Sequence, residues 1–348
     1  MAKQEKILVA LSGGVDSAVA LYLLKKQGHS VQAAFMKNFS EKINLKGECP
    51  WKEDRLMAYR VASHLKVPIQ TFDFEKVYNK KIVKYIFESY QKGLTPNPDV
   101  LCNNEIKFKL FLDKALKLGF DKIATGHYAK LKHDKNGHHL LRAKDKNKDQ
   151  SYFLSGLTQE QLSHSLFPIS DLTKPELRKL AKRIKLPNYD RKDSQGICFI
   201  GKIDLKTFLS QKIKPKVGDI IDTEGNKLGL HQGVWYYTIG QRKGLNIGGS
   251  GPWYVISKDL KKNRLIVGHI DNEKLYNKSI QISKIHWLAK EYKLPLKAKA
   301  QIRYRQNPQD VVLYKDKAEF KKVQQGVASG QILAVYLKNE LICSANIL

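Results

Sequence analysis

Cysteine is scarce in this chain: four in 348 residues, at 49, 102, 198 and 343, and none of them sits in a CxxC or beside a histidine at zinc-ligand spacing. That excludes a disulfide scaffold and a structural zinc pair, and it makes a reducing cytoplasm the expected setting. No window of about 18 apolar residues occurs, so a membrane-spanning helix is excluded. The apolar run Ile7 to Leu11 is too short for a secretory signal. Acidic residues are also few: Asp and Glu number 33 against 62 Lys and Arg, a formal net charge of +29. Such a field suits a polyanion, and nucleic acid is the commonest large one, although a lysine-rich composition could produce the same excess as solvated faces. What is present is an apolar content of 42%. That is enough for real cores, and the length suits two or three domains.

Strand and helix patterns alternate in the first part of the chain. Ile7 to Leu11 reads as a buried strand, followed by the turn Ser12-Gly13-Gly14 and a helix from about Asp16 to Gln27, stopped by Gly28. Val31 to Met36 and Ile69 to Phe74 read as strands. Met57, Val61 and Leu65 mark one helix face; Tyr78, Ile82, Ile86 and Tyr90 mark another. Phe108, Phe111, Leu112 and Ala115 mark a further helix before a strand that begins at Lys122. Repeated β-α-β units predict an α/β domain, a parallel sheet covered by helices on both faces. Beyond about residue 204, short β-type runs and turns take over. Leu296, Ala298, Ala300, Ile302 and Tyr304 alternate with Lys297, Lys299, Gln301, Arg303 and Arg305, which predicts a period-two strand with a mostly basic outer face. Ile332 to Leu337 and Leu341 to Leu348, joined at Asn339-Glu340, predict a closing hairpin. The C-terminal third is expected to be a small β-barrel or sandwich.

The sharpest local motif is Ser12-Gly13-Gly14-Val15-Asp16-Ser17, between the first strand and the first helix. Glycines let the backbone turn tightly, and the amides that follow face an anion at the helix N-terminus. Neither GxxxxGK[ST] nor GxGxxG is present. The SGGxDS run resembles the PP-loop of ATP pyrophosphatases, which activate a substrate oxygen by adenylation; Asp16 is the candidate to serve Mg²⁺ there.

Cys102 follows Thr95-Pro96-Asn97-Pro98-Asp99, where two prolines hold the approach extended, and a helix pattern is read as beginning directly after it. A thiol at a helix N-terminus is biased toward thiolate, and Asp99 stands three residues away as a proton acceptor or donor. Cys198 lies in Asp193-Ser194-Gln195-Gly196-Ile197-Cys198. Taken singly, each cysteine also reads as a small buried hydrophobe. Cys49 and Cys343 read as structural or incidental.

Together the blocks are far more specific: SGGVDS at 12–17, Met36-Lys37-Asn38, TPNPDVLCN at 95–103, ATGHYA at 124–129, NKDQSYFL at 147–154, KDSQGICFIG at 192–201, TIGQRKGL at 238–245 and RYRQ at 303–306. In this order, and essentially end to end, they resemble the tRNA-specific 2-thiouridylase family. The resemblance implies a PP-loop ATP-binding domain over 1–203, a small central tRNA-binding domain over 204–275 and a C-terminal tRNA-binding β-barrel over 276–348. It implies ATP-dependent 2-thiolation of the wobble uridine, position 34, of glutamate, glutamine and lysine tRNAs. Cys198 would carry a persulfide, Cys102 would attack it and leave a transient Cys102–Cys198 disulfide, and Asp99 would manage protons. Ala10, Leu11, Ser12, Gly13, Gly14, Val15, Asp16 and Ser17, with Met36 and Gly126, would hold ATP with Mg²⁺. Asn97, Pro98 and Asp99 would meet the flipped target base. His127, Lys148, Asp149, Gln150, Arg303, Tyr304 and Gln331 would contact tRNA. The implied sulfur donor is a cysteine desulfurase or a relay protein, and the free enzyme is expected to be a monomer. Small-molecule PP-loop ligases are the nearest rivals, and they do not require the two cysteines.

Overall fold

The computed structural model describes residues 4–40, 50–193, 198, 205–248 and 251–348. Cys49 and, Cys198 apart, the part of the 192–201 block beyond Asp193 lie outside the described residues.

The first strands are β1 (Lys6–Ala10), β2 (Ser30–Lys37), β3 (Ile69–Asp73) and β4 (Lys122–Ala124); a hairpin of β5 (Ala129–Asp134) and β6 (Gly137–Arg142) follows, then the short β7 (Ser165–Leu166). Five of them form one parallel sheet in the order β3-β2-β1-β4-β7. The β1 run is apolar throughout because both of its faces are covered. Ile7, Val9 and Leu11 share a core with α1 (Val15–Lys26), α2 (Pro50–His64) and the helix Lys174–Arg183. Leu8 and Ala10 share the other core with Tyr78, Ile82, Ile86, Cys102, Ile106 and Phe108. The α/β expectation for this half therefore holds, with α1 starting where β1 and its glycine turn deliver it.

Two helices on the second face carry wider turns. In the run Glu75–Tyr78, Asn79–Val83 and Lys84–Gln91, the middle segment has i→i+5 bonding, and so does Asn103–Leu110 between Pro98–Cys102 and Phe111–Lys117. This corrects one expectation. The helix begins at Pro98, capped by the Asn97 side chain on the Val100 amide (3.2 Å), so Cys102 sits within it rather than at its N-terminus.

The central segment forms a four-stranded sheet in the order β10-β11-β8-β9, from β8 (Gly218–Ile221), β9 (Lys227–His231), β10 (Tyr254–Asp259) and β11 (Arg264–Gly268). The last segment supplies β12 (Tyr276–Gln281), β13 (His286–Trp287), β14 (Leu296–Gln301), β15 (Gln309–Leu313), β16 (Lys317–Gln325), β17 (Ile332–Leu337) and β18 (Glu340–Asn346). Its sheet runs β12-β16-β15-β14-β17-β18-β6-β5, with β13 on β18. The hairpin β5–β6, drawn from the first two hundred residues, thus completes the C-terminal sheet, with Leu141 opposite Glu340 and Leu140 opposite Leu341.

Two further boundaries differ from expectation. The period-two strand stops at Gln301 rather than running to Arg305, because the Ile302 amide donates to Gln306 Oε1 (2.8 Å) and Arg305 takes φ +65°, turning the chain. The final hairpin turns at Lys338 (φ +55°) and Asn339, so Glu340 already lies in β18. No helix among the described residues is long and apolar enough to cross a membrane.

Candidate active site

The glycine turn brings β1 to the N-terminus of α1. Gly14 holds the cap position of α1 with no side chain capping it, so the first amides of the helix are not satisfied from within by a cap. Ser12 and Ser17 hydroxyls lie 3.2 Å apart, and Ser17 Oγ donates to the Gly14 carbonyl (3.1 Å). Gly13 has φ +81°, and a Cβ there would stand 2.4 Å from the Asp54 carbonyl oxygen of α2. Its own carbonyl accepts from Asn188 Nδ2 (2.9 Å) and Arg191 Nη1 (3.1 Å). A Cβ at Gly126 would lie 2.5 Å from the Ser17 amide nitrogen, so that glycine lets the strand end press against the first turn of α1. This cradle of unfilled backbone and short hydroxyls fits a polyphosphate. Met36 is buried in the sheet core, opposite Phe72 on β3, and Ala10, Leu11 and Val15 are buried with it.

Beneath the loop lies a network of charges. Asp16 Oδ1 accepts from Lys174 Nζ (2.6 Å) and from the Tyr128 hydroxyl (3.1 Å). Lys174 also pairs with Asp193 (2.7 Å), which in turn pairs with Lys148 (2.5 Å) and Arg178 (2.9 Å). Lys174 is placed by the start of its helix, where Thr173 and Glu176 form a capping box. Burial opposes ionisation of Asp193, but Lys148 and Lys174 outweigh it and hold the carboxyl down to about 2. Among the described residues no group of three or more His, Cys, Asp or Glu side chains could hold a metal ion by itself. Asp16 is the loop carboxylate that would help hold Mg²⁺, beside the Lys174 ammonium it already pairs with.

On the sheet's second face, two cysteines far apart in the chain meet. Cys102 and Cys198 are both free, and their thiols are hydrogen-bonded to one another. The segment bearing Cys198 is pinned twice: its amide donates to Asp99 Oδ1 (3.0 Å), and its carbonyl accepts from the Tyr78 hydroxyl (2.6 Å). Lys107 reaches the same sulfur and also stands 3.4 Å from His127 Nε2. The acidities are unequal. Burial pushes the Cys102 thiol well up, and its bond to Cys198 adds to that. Cys198 moves down, first because Cys102 donates to it and then because of Lys107, against its own burial. The expectation of a thiolate-biased Cys102 is thus reversed, because that side chain is fully buried inside its helix instead of at a helix N-terminus. Burial also raises Asp99, opposed by the Cys198 amide and Lys107.

The remaining expected residues are distributed unevenly. Asn97 is buried as a helix cap, with Pro98 and Asp99 following it into the thiol pocket. His127 is 8% exposed, with Nδ1 at 2.7 Å from Thr125 Oγ1 and Nε2 facing Lys107. Asp149 is buried and accepts from Arg142, Ala143 and Ser151; Gln150 Oε1 accepts from the Tyr128 amide (3.0 Å). Arg303 is exposed and donates to the Gln325 carbonyl, and Tyr304 stacks near Phe153 with centroids 4.3 Å apart. Gln331 Nε2 donates to the carbonyls of Thr95 (3.0 Å) and Pro96 (3.2 Å), tying the C-terminal sheet to the loop that leads to Cys102. Sequence reasoning missed Tyr78, Lys107, Lys174 and Arg191. Tyr78 looked like one member of an apolar stripe, and the three cations looked like solvated charge. Only Asp193 carried a signal, its place inside the block around Cys198.

Three family models match in succession: a tRNA methyl transferase HUP domain over residues 5–202, a tRNA methyl transferase PRC-barrel domain over 206–269, and an aminomethyltransferase β-barrel domain over 277–347. Curated relatives match over nearly the whole chain. One from Flavobacterium johnsoniae is 42% identical, covering 98% of this chain and 99% of its own length. One from Legionella pneumophila strain Lens is 44% identical, covering 98% of each. One from Geobacillus kaustophilus is 44% identical, covering 99% of this chain and 96% of its own. The first two are named tRNA-specific 2-thiouridylase MnmA, and the third MnmA 1. With a phosphate-cradling loop, a converging thiol pair and full-length identity at this level, the chain belongs to the tRNA-specific 2-thiouridylase family.

Proposed function

We propose that this protein is a cytoplasmic tRNA-uridine 2-sulfurtransferase that uses ATP, Mg²⁺ and a cysteine persulfide to thiolate the wobble uridine of tRNA. The observation that carries this reading is the meeting of Cys102 with Cys198 in a pocket of the same domain as the SGGVDS loop. A carbonyl oxygen is a poor leaving group, and ATP bound at the loop supplies the chemistry that turns it into an AMP ester. The chain's own residues then handle sulfur. Cys198, the more acidic thiol, is the better acceptor of a sulfane sulfur from an external donor. The Cys102 sulfur, giving its proton to Asp99, attacks Sγ of the Cys198 persulfide. The S–S bond breaks with its electron pair on the terminal sulfur, hydrosulfide leaves, and a Cys102–Cys198 disulfide forms. Hydrosulfide adds to C2 of the activated uridine and AMP departs. A thiol reductant from outside then returns both cysteines.

Recognition follows the same division. Asn97, Pro98 and Asp99 stand where a flipped base would have to enter to reach the thiols. Lys148, Gln150, Arg303, Tyr304 and Gln331 are the proposed tRNA contacts on the surrounding surfaces, with His127 and Asp149 supporting them from within. Glutamate, glutamine and lysine tRNAs are the proposed substrates, and a cysteine desulfurase or relay protein the proposed donor, acting on a monomer.

The test is mass spectrometry of nucleosides from unmodified tRNA incubated with Mg-ATP and a persulfide source. Wobble 2-thiouridine that requires both ATP and Cys198 is the expected result. Turnover of ATP and binding of tRNA without any thiouridine would overturn the assignment. Full activity of Cys102→Ser on a small-molecule substrate would favour a ligase instead.

A further inference from the structure

Lys107 has no place in the chemistry just described, yet it stands at the centre of the thiol pocket. In an ordinary α-helix, residues five apart point roughly 140° away from each other. Cys102 and Lys107 do not, because the turn between them belongs to the i→i+5 segment Asn103–Leu110, which winds more slowly and lets both side chains serve one pocket. Such wide turns cost backbone regularity and recur at functional sites. The same pocket receives the Asp99 carboxyl from the first turn of this helical run and the Cys198 sulfur from far along the chain, with the Tyr78 hydroxyl on the Cys198 carbonyl. Cys198, Cys102, Asp99 and His127 are the titratable neighbours of the Lys107 ammonium.

His127 is arranged to serve that ammonium. Its ring is buried between Phe108 and Phe167, with centroids 5.7 and 6.2 Å away. Burial and the adjacent lysine charge keep it neutral. A neutral imidazole facing an ammonium accepts at Nε2, so its proton lies on Nδ1 and is donated to Thr125 Oγ1. Thr125 is itself buried at the end of β4. Thr125, His127 and Lys107 therefore form a line from the sheet to the sulfur.

We propose that Lys107 is a catalytic residue that binds anionic sulfur in this pocket, and that His127 is the positioning residue that aims it. The inference rests on Cys198 as the sulfur carrier. Each anion in the sequence of steps, the Cys198 thiolate that accepts sulfur, the persulfide and the departing hydrosulfide, develops beside the same fixed positive charge. In a pocket with little water, one such cation stabilises these anions far more than solvent-exposed lysines could. Neither Asp99 nor the phenol of Tyr78 can supply that charge.

The experiment is the pH dependence of alkylation at Cys198, read by peptide mass mapping in the full chain, for wild type, Lys107→Met, Lys107→Arg and His127→Gln. Thermal melting is measured beside it. The expected result is a Cys198 midpoint raised by about one pH unit in Lys107→Met, so that alkylation at neutral pH slows about tenfold. Lys107→Arg restores most of the rate, and His127→Gln slows it about threefold with the charge still present. Persulfide-dependent thiolation falls in the same order. An unchanged alkylation profile in folded Lys107→Met overturns the proposal, whatever the substrate proves to be. If Lys107→Met fails to fold, a wild-type alkylation rate at every pH in Lys107→Gln does the same. Loss of thiouridine in the wild type would instead overturn the functional reading and leave the alkylation result standing.

Discussion

The catalytic domain has two neighbouring chemical centres, a phosphate end and a thiol end joined through Gly126 and His127, and they treat charge in opposite ways. At the phosphate loop four cations are paired: Lys174 lies between Asp16 and Asp193, Lys148 and Arg178 pair with Asp193, and Arg191 pairs with Asp54. At the thiol pocket an ammonium faces two sulfurs and a carboxyl whose pKa burial raises, with a buried phenol beside the sulfurs. The first end is a neutralised frame whose job is to hold its shape while a highly charged polyphosphate comes and goes. The second sets its positive charge directly beside two sulfurs. Stability should therefore depend on the lysine of the first end, and reactivity on the lysine of the second.

The largest effect belongs to the thiol end. Cys198→Ser is expected to reduce persulfide-dependent thiolation by at least about 10³-fold, because the remaining thiol, Cys102, is the less acidic of the pair and is left without the partner that completes the disulfide, while pyrophosphate release persists. Nucleoside analysis and a pyrophosphate assay on one sample check both halves. Parallel loss of both activities would erase the distinction between the ends. Next comes the opposite experiment. Lys174→Met leaves Asp16 with only the Tyr128 hydroxyl and strips one partner from Asp193, at a site where the lysine is 8% exposed. A destabilisation of about 2–4 kcal/mol is expected in denaturant melts. Lys107→Met should lose less than about 1 kcal/mol, since the neighbours that can bear negative charge, Cys198, Cys102 and Asp99, can take up protons and become neutral. Equal losses in the two variants would refute the contrast.

These ends were not equally legible in the sequence. The phosphate loop is local: strand, glycines, serines and helix follow one another within a dozen residues, so Ser12 to Ser17 could be read directly. The sheet was legible for the same reason, as β1 must be apolar on both faces. The thiol pocket is assembled from the helices around Tyr78 and Cys102, the end of β4 and the segment at Cys198. No periodicity connects those pieces, and Cys102 and Cys198 could be joined only through resemblance to a family. Lys107 was hidden more deeply, because its direction depends on a wide helical turn that composition does not announce. The hairpin Ala129–Arg142 was missed as part of the C-terminal sheet because its pairing partner, β18, lies about two hundred residues later.

Acid provides a smaller and more selective probe. With the Asp193 carboxyl held down to about 2, its ionised form is favoured in the folded protein relative to an unfolded value near 3.9. Its contribution is therefore complete above about pH 5 and is lost as pH falls through the folded value. Allowing for screening at a site still partly open to solvent, that contribution is about 1 kcal/mol. Asp193→Asn should flatten the acid limb of stability between about pH 5 and pH 2 while leaving the alkylation profile of Cys198 near neutral pH in place. A steep acid limb that survives in Asp193→Asn would mean that other carboxylates govern the phosphate end.

The last difference between the two ends is ownership. Every described group of the phosphate frame comes from one domain, whereas the thiol pocket borrows its roof from another. Gln331, just before β17, donates to the carbonyls of Thr95 and Pro96, the Thr95 amide donates to the Ser329 carbonyl (2.8 Å), and the Tyr152 hydroxyl donates to the Ile332 carbonyl (3.1 Å). The C-terminal sheet therefore holds the extended approach to the Cys102 helix. Gln331→Ala removes two of these bonds and leaves the others, for an expected cost of about 1 kcal/mol. Hydrogen exchange should quicken about fivefold across residues 94–102 and not at all across residues 12–17. Such a split would make the C-terminal sheet part of the thiol site in the mechanical sense. Uniform quickening across both stretches would mean that Gln331 merely supports the whole molecule, and the two ends would then share one frame after all.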